Sequence, residues 1–294
     1  GFLGFALGRN VSGEPVFADI EKMPHLLISG STGSGKSIAI HSLLISLLYK
    51  NSPATLKMIL VDPKRVELSV YAGLPHLATS IITENKKAIN ALRWATSEME
   101  RRYDLLLKAG RRDIKGYNQE NPKEPVPYLL IVVDELADLM TSFGREVEGS
   151  IVRLAQMARA TGIHLVLSTQ RPSVEIITGL IKANITSRIA LQVASQVDSR
   201  TILDAAGAEK LLGGGDLLFI SSELSKPKRI QGAYISEEEV EKVAGFIKDN
   251  NQPESEEVEE INLENGAPGL NGQDVLRGFS EEAEDDELYL DAVS

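Results

Sequence analysis

Eight consecutive residues carry the clearest chemistry in this chain: Gly30-Ser31-Thr32-Gly33-Ser34-Gly35-Lys36-Ser37. They match G-x-x-x-x-G-K-[ST] at every fixed position, the pattern of a loop that wraps a polyphosphate. Glycines let the backbone curl until successive N–H groups point inward, an anion nest at a helix N-terminus. Lys36 then brings a point charge to the β- and γ-phosphates, and the Ser37 hydroxyl can ligate Mg2+. The flanks agree, because an apolar run at 25–29 enters the loop and a helical pattern with Ile38, Ile40, Leu43, Leu44 and Leu47 leaves it. These residues predict ATP and Mg2+ as cofactors. The alternative, a glycine-rich turn with no ligand, does not account for the strand–loop–helix context.

A second acidic feature follows the apolar string Leu129-Leu130-Ile131-Val132-Val133, which runs straight into Asp134-Glu135. A strand of this kind carries Asp134 to the edge of the sheet where the phosphate loop lies, in position to hold Mg2+ through water. Glu135 is placed to polarise the attacking water as general base. A plain strand end before a helix, where the helix dipole favours carboxylates, is the competing account. The presence of a phosphate loop favours the catalytic one. Asp62, in Leu60-Val61-Asp62-Pro63-Lys64, also closes an apolar strand and rivals Asp134 as the metal carboxylate. Its proline neighbour and the lack of a following Glu make it second choice, a structural turn. Gln170, at the end of the run 164–168 followed by Thr169, can donate and accept, so it suits sensing a γ-phosphate or orienting water. A polar strand end before Pro172 explains it equally well.

The elements that must hold these groups read as an α/β domain with a mainly parallel central sheet flanked by helices. Strands are expected at 25–29, 56–61, 77–82, 128–133, 164–168, 188–193, 216–220 and 229–234, with a short hairpin over 5–18 turning near Ser12 and Gly13. Several runs are solidly apolar, as strands covered on both faces are. A long helix spans about 86–108, with Ile89, Leu92, Met99, Tyr103 and Leu106 on one face, and a second covers about 146–160 before Gly162. Trp94 lies beside the first stripe and reads as packing. The expected division is a β extension at 1–24, a motor domain at 25–250, and an acidic disordered linker at 251–294.

Charge supports that division. The net charge is −11 overall, but residues 251–294 hold 14 acidic residues and one basic residue, while 1–250 carry a net of +2. The acidity of the whole chain therefore says little about what the folded part touches. Low hydrophobicity and high net charge leave the tail too little apolar surface to offset chain entropy. No cysteine is present, which excludes disulfides and thiolate metal sites and agrees with a reducing location. No apolar stretch reaches the ~18–20 residues that span a bilayer, and no signal peptide is visible. Beginning on Gly1 rather than Met, the chain reads as a piece of something longer.

Beyond these motifs, longer strings resemble the motor domain of the FtsK/SpoIIIE DNA translocases over about positions 5–248. They include Met23-Pro24-His25-Leu26-Leu27, Asp62-Pro63-Lys64, Glu67-Leu68-Ser69-Val70-Tyr71 and Glu98-Met99-Glu100-Arg101-Arg102-Tyr103. Further along come Thr169-Gln170-Arg171-Pro172-Ser173, Asp198-Ser199-Arg200-Thr201-Ile202-Leu203-Asp204, and Gly207-Ala208-Glu209 with Leu211-Leu212-Gly213. The resemblance implies a RecA-like P-loop NTPase fold, a homo-oligomeric ring, a hexamer, around double-stranded DNA, and ATP-driven translocation during chromosome segregation. In such rings a neighbour's arginine completes the site, and Arg188 is the best match for that finger. An ordinary surface or ion-paired arginine is the other reading of it. The family's pore loops correspond to Arg200 with Lys210, and to the turn Ser225-Lys226-Pro227-Lys228-Arg229. Lys226, Lys228 and Arg229 put three cations in four positions, which suits backbone phosphates, while a solvated turn is the plain alternative.

Two departures from the family pattern shape the expectation. The membrane region and α-helical domain that precede the motor in full-length relatives are absent, so this piece makes no membrane contact, although the parent is expected at the bacterial inner membrane of the division septum, with the motor on its cytoplasmic face. The chain also closes on Asp286-Glu287-Leu288-Tyr289-Leu290-Asp291-Ala292-Val293-Ser294, which resembles the opening of the first helix of the family's winged-helix domain, so steering by DNA sequence is expected to be missing. A related P-loop ATPase that drives protein secretion is the competing function, and a nucleotide switch without turnover is a third, disfavoured by Glu135.

Overall fold

Four strands, β3 (His25–Ser29), β5 (Tyr128–Val133), β6 (Ile163–Thr169) and β7 (Ser187–Leu191), are buried at every residue. Apolar side chains on both faces require helices on both sides. The computed structural model describes residues 3–250 together with Ile261 and Leu263. With β4 (Leu56–Val61), these strands form a parallel block ordered β7-β3-β6-β5-β4. The sheet continues beyond β7 in antiparallel fashion, through β8 (Asp216–Ile220), β9 (Lys228–Gly232), β1 (Gly4–Asn10) and β2 (Pro15–Asp19). Among the described residues, nine strands therefore make one sheet, and the N-terminal hairpin is part of it rather than an appendage. The hairpin turns at Gly13, with φ of 81°, while the Asn10 side chain accepts from the amides of Ser12 and Glu14.

Alternation along the strands divides the core in two. Leu27, Ile59, Val61, Leu129, Ile131, Val133, Leu165 and Leu167 face α2 (Asn85–Lys108) and α4 (Leu136–Met157), meeting Ile89, Leu92, Leu136 and Ile151. Leu26, Ile28, Met58, Leu60, Leu130 and Val132 face α1 (Lys36–Leu48) and α7 (Glu237–Asn250), meeting Leu43, Leu44, Leu47 and Val240. Each such fully buried side chain contributes roughly 1.5–3 kcal/mol. Trp94 packs half-buried against the first layer, as expected.

Register is what positions the site. Ser29 pairs with Thr169 and lies two residues past the Leu27–Arg188 pair, while Val133 pairs with both Val61 and Leu167. The residues that follow these strands, Gly30, Asp62, Asp134 and Gln170, thus all emerge on one rim.

Two elements differ from the sequence expectation. Segment 77–82 is not a strand but touches β4 at two isolated bridges, Met58 to Leu77 and Val61 to Ile82. The bridges are five residues apart on this segment and three apart on β4, so the extra residues bulge out and break the ladder. The helix expected from about 146 begins instead at Leu136, capped by Glu135, and carries a non-helical Phe143 (φ −141°, ψ 36°) just before Gly144. That break hides the first turns from a search for unbroken periodicity.

The tail also departs from a wholly disordered linker. Leu263 is 6% exposed and joins the first core layer, the Ile261 amide donates to the Ala78 carbonyl at 3.2 Å, and the Asn90 amide group donates to the Leu263 carbonyl at 2.9 Å. Two apolar residues spaced by two in an acidic stretch can point the same way when extended; the rest of 251–294 lies outside the described residues. Replacing Leu263 with Asp should cost about 2 kcal/mol of buried apolar surface, lowering the melting midpoint by roughly 4–8 °C. A thermal melt matching the parent would show that this strap contributes nothing to stability.

Candidate active site

The phosphate loop takes the curled backbone its motif calls for. Gly33 and Gly35 adopt φ of 79° and 104°, in the left-handed region that suits glycine. Gly30 has no room for a side chain, since a Cβ there would sit 2.6 Å from the Ser34 hydroxyl and 2.7 Å from Leu191. A Cβ on Gly35 would sit 2.7 Å from the Gly215 nitrogen. The loop is pinned at both shoulders, with Ser31 N–H donating to the Gln192 carbonyl and Gly215 N–H donating to the Ser34 carbonyl, each at 2.9 Å. Thr32 donates its hydroxyl to the Gln170 side chain at 3.1 Å. Ser34 keeps a buried hydroxyl without a partner, and Ser37 is half-buried one residue into α1.

Lys36 connects this loop to the acidic strand. Its ammonium, 3% exposed, donates to Asp134 Oδ1 at 2.7 Å, to the Asp134 carbonyl at 3.0 Å and to the Ser168 hydroxyl at 3.2 Å. Ser168 in turn donates to the Asp134 carbonyl. Because β6 stands between β3 and β5, Lys36 spans the width of that strand, and Ser168 fills the gap. Burial pushes the Asp134 carboxyl above its ordinary range, and the Lys36 charge acts in the opposite direction.

Glu135 caps α4 and is 1% exposed. Its Oε1 accepts from the Ala137 amide at 3.4 Å and from the Thr169 hydroxyl; its Oε2 accepts from the Gln170 amide at 3.2 Å and lies 3.6 Å from the Lys64 ammonium. Ser168, Thr169 and Lys64 were not singled out as site residues by sequence. The first two follow once β6 is paired with β3 in register, a fact of topology rather than of motif. Asp62, the rival carboxylate, is fully buried and accepts from the Leu68 amide at 2.9 Å, so it closes the turn that follows β4.

With this geometry in place, comparison with known proteins identifies the lineage. The FtsK/SpoIIIE family model matches residues 2–174, more than half of the chain. The chain belongs to the FtsK/SpoIIIE family. It is 56% identical over 292 residues to the DNA translocase FtsK of Caldanaerobacter subterraneus subsp. tengcongensis, covering 99% of this chain and 40% of that protein. Against DNA translocase SpoIIIE of Bacillus subtilis it is 55% identical over 250 residues, covering 82% and 32%. The chain therefore spans well under half the length of these curated relatives.

Among solved structures, the pCW3 conjugation coupling protein TcpA, in a monomer form with ATPγS, superposes with a TM-score of 0.73 at 28% identity, covering 84% of this chain and 71% of that one. The cytoplasmic domain of the type VII secretion ATPase EccC of Thermomonospora curvata gives 0.74 at 26%, covering 86% and 31%. The fold is the RecA-like α/β fold of P-loop ATPase motor domains.

In this FtsK/SpoIIIE chain, Arg188 departs from its expected place as a finger offered to a neighbour. It is 9% exposed, and its guanidinium donates to the carbonyls of Ile185 at 3.0 Å, Ile202 at 2.9 Å and Lys182 at 3.3 Å, and to Asp204 Oδ2 at 2.7 Å. It braces α5 (Gly179–Asn184) and α6 (Gln196–Leu203) against the entering end of β7. Partial burial opposes ionisation of Asp204, but the hydrogen bonds from Lys182 and Arg188 outweigh it and hold that carboxyl below its usual range. Reaching out would break all four bonds, which is why the finger role is not supported.

The basic positions expected to meet DNA lie on both rims. Arg200 and Lys210 are exposed, and the turn carrying Lys210 sits at the phosphate-loop rim, where Val193 N–H donates to the Ala208 carbonyl. Lys226 and Lys228 are exposed at the opposite rim, because β8 runs antiparallel to β7 and its last residue, Ile220, pairs with Arg188. Arg229 differs from them. It forks onto Asp216, with Nε to Oδ1 at 3.0 Å and Nη2 to Oδ2 at 2.7 Å, so much of its charge is already paired. No described helix is long and apolar enough to cross a membrane.

Proposed function

We propose that this chain is the motor of a translocase that hydrolyses ATP to move along double-stranded DNA, acting as a homo-oligomeric ring, hexameric as its family suggests, within a larger membrane-anchored protein at the division septum. The observation that carries the reading is the convergence of Lys36, Asp134 and Glu135 on the rim that bears the phosphate loop. Residues 30–37 would hold the triphosphate, with the backbone amides of the loop and the Lys36 ammonium facing its β- and γ-phosphates. Gln170, beside Thr32 and Glu135, would register the terminal phosphate.

Magnesium fits these residues. Ser37 and the desolvated Asp134 are the available ligands, and among the described residues no group of three His, Cys, Asp or Glu could hold a metal without a nucleotide. That is the donor set expected of Mg2+, which keeps waters and takes phosphate oxygens alongside one or two protein ligands. When bound, Mg2+ would neutralise charge developing on the phosphates. Within the protein, Glu135 would take a proton from the attacking water, and Lys36 would exchange Asp134 for phosphate oxygens as nucleotide enters.

DNA contact falls to Arg200 and Lys210 on one rim and to Lys226 and Lys228 on the other, with Arg229 orienting the turn through Asp216. A motor indifferent to sequence needs phosphate contacts rather than base contacts. The type VII secretion ATPase shares the fold equally well, so fold alone leaves a polypeptide cargo open; the high identity to proteins named DNA translocases favours DNA. The motor body would span 25–250, with the β1–β2 hairpin built into its sheet.

ATP turnover should rise on adding long duplex DNA and fall steeply with salt, because bound cations release counterions. Replacing Lys226 and Lys228 together with Ala should reduce the log–log salt slope of DNA binding by about 2, at roughly 0.9 per phosphate contact, and should weaken all sequences alike. Turnover stimulated by a peptide cargo but not by duplex DNA would transfer the chain to the secretion reading.

A further inference from the structure

Groups of the chain itself surround both oxygens of Glu135. The Thr169 hydroxyl and the Ala137 amide donate to Oε1 and the Gln170 amide donates to Oε2, while the Lys64 ammonium faces Oε2 as an ion pair at 3.6 Å, beyond hydrogen-bonding distance. A carboxylate offers about four lone-pair sites, so with three hydrogen-bonded the remaining one lies on Oε2 facing the Lys64 ammonium, which a water molecule arriving as nucleophile must displace to deliver its proton.

The four groups are not equally fixed. Two are backbone amides of ordered elements, in the first turn of α4 and just past the end of β6, and Thr169 is wholly buried. Lys64 is different. Its side chain is 44% exposed, its distance to Oε2 is the longest of the set at 3.6 Å, and it sits in the exposed turn that follows β4. Asp62 holds that turn at its ends, taking the Leu68 amide on Oδ2 and the Arg65 amide on its carbonyl. Between those anchors Arg65 has a φ of 58°, the left-handed region that costs a non-glycine residue energy. A strained turn held at its ends, bearing the one flexible group, is the part of this shell that can open.

We propose that Lys64 is a positioning residue that covers the remaining acceptor site of Glu135, and that the Lys64–Glu135 pair must open before Glu135 can accept a proton from water. The inference rests on Glu135 being the general base. It assigns to the Asp62-Pro63-Lys64 string a part in turnover that its place outside the phosphate loop does not suggest. The pair acts on the rate of the chemical step and leaves the phosphate-binding groups untouched.

The experiment compares Lys64→Gln, which keeps length and polarity but loses the charge, with Lys64→Arg, which keeps the charge. Without DNA, Lys64→Gln should raise kcat for ATP by about threefold to fivefold, the upper end for a half-exposed ion pair, with KM for ATP within about twofold of the parent. Lys64→Arg should stay at the parental rate, and both variants should melt with the parent. With saturating duplex DNA, the kcat of Lys64→Gln should match the parent, since the stimulated state has already opened the pair. A DNA-free kcat for Lys64→Gln that is unchanged or lower, or an equal rise in Lys64→Arg, would overturn the proposal. Glu135→Gln measured alongside separates the two readings. If it still turns over at the parental rate, the base assignment fails; if it is silent and Lys64→Gln is not faster, only the role of Lys64 fails.

Discussion

Lys36→Ala should lose ATP affinity by at least about 100-fold, the equivalent of one strong charge-assisted contact in a buried site. No other side-chain cation among the described residues is held within the phosphate loop itself, and the Lys36 ammonium now spends its three donors on Asp134 and Ser168. Phosphate oxygens can take those donors over only if the ammonium is there to be shared. Titration with a fluorescent ATP analogue reads the effect, and affinity within a few-fold of the parent would contradict the loop assignment. The same change should destabilise the fold, since it leaves Asp134 buried without its partner, a loss of about 3–5 kcal/mol for a fully buried pair.

Acidity offers a way to tell the two effects apart. Burial already raises the Asp134 carboxyl above its unfolded value, and removing Lys36 takes away the main opposing influence. A carboxyl raised in the folded state favours folding below its unfolded pKa and loses that contribution as pH rises through the folded one. The melting deficit of Lys36→Ala should therefore shrink as pH is lowered from neutrality towards the carboxylate range, while ATP binding should not return. Recovery of both together would mean that the lost affinity came from unfolding alone.

Glu135→Gln should bind ATP with near-parental affinity and lower kcat by about 10²–10⁴, the usual worth of a positioned general base. The amide keeps the size of the carboxylate and part of its hydrogen bonding, but it cannot take a proton from water. One of its two ends must now present N–H groups to donors, either Thr169 or the Gln170 amide, so a small loss of stability should accompany the loss of turnover. Single-turnover phosphate release together with nucleotide binding reads both outcomes. Release at the parental rate would remove Glu135 from the chemistry and leave the site as a binding module.

The phosphate loop was legible because its physics is local. Glycines at 30, 33 and 35, a lysine and a serine within eight residues, and an apolar strand leading in are enough to specify a curled backbone, and Gly33 and Gly35 adopt the positive φ such a loop needs. The strands at 25–29, 56–61 and 128–133 were equally legible, since burial on both faces leaves a solid apolar run. The bulged segment 77–82 was not, because it is apolar enough for a strand and only its mismatched spacing against β4 keeps it from being one. Arg188 was ambiguous for a related reason. An arginine near a strand start looks the same in sequence whether its guanidinium meets a neighbour or four acceptors of its own chain.

Composition, periodicity and one short motif thus determined the class of fold, the ligand-gripping loop and the acidic pair, all properties encoded within a dozen neighbouring residues. Strand order and register decided the rest. They put Ser168 beneath the Lys36 ammonium, surrounded Glu135 with Thr169, Gln170 and Lys64, and carried Leu263 out of an acidic tail into the core beside α2. Those partners are 34 to 173 residues apart along the chain, and hydrogen bonds and ion pairs of this kind act over a few ångströms of space, so only the folded arrangement could reveal them.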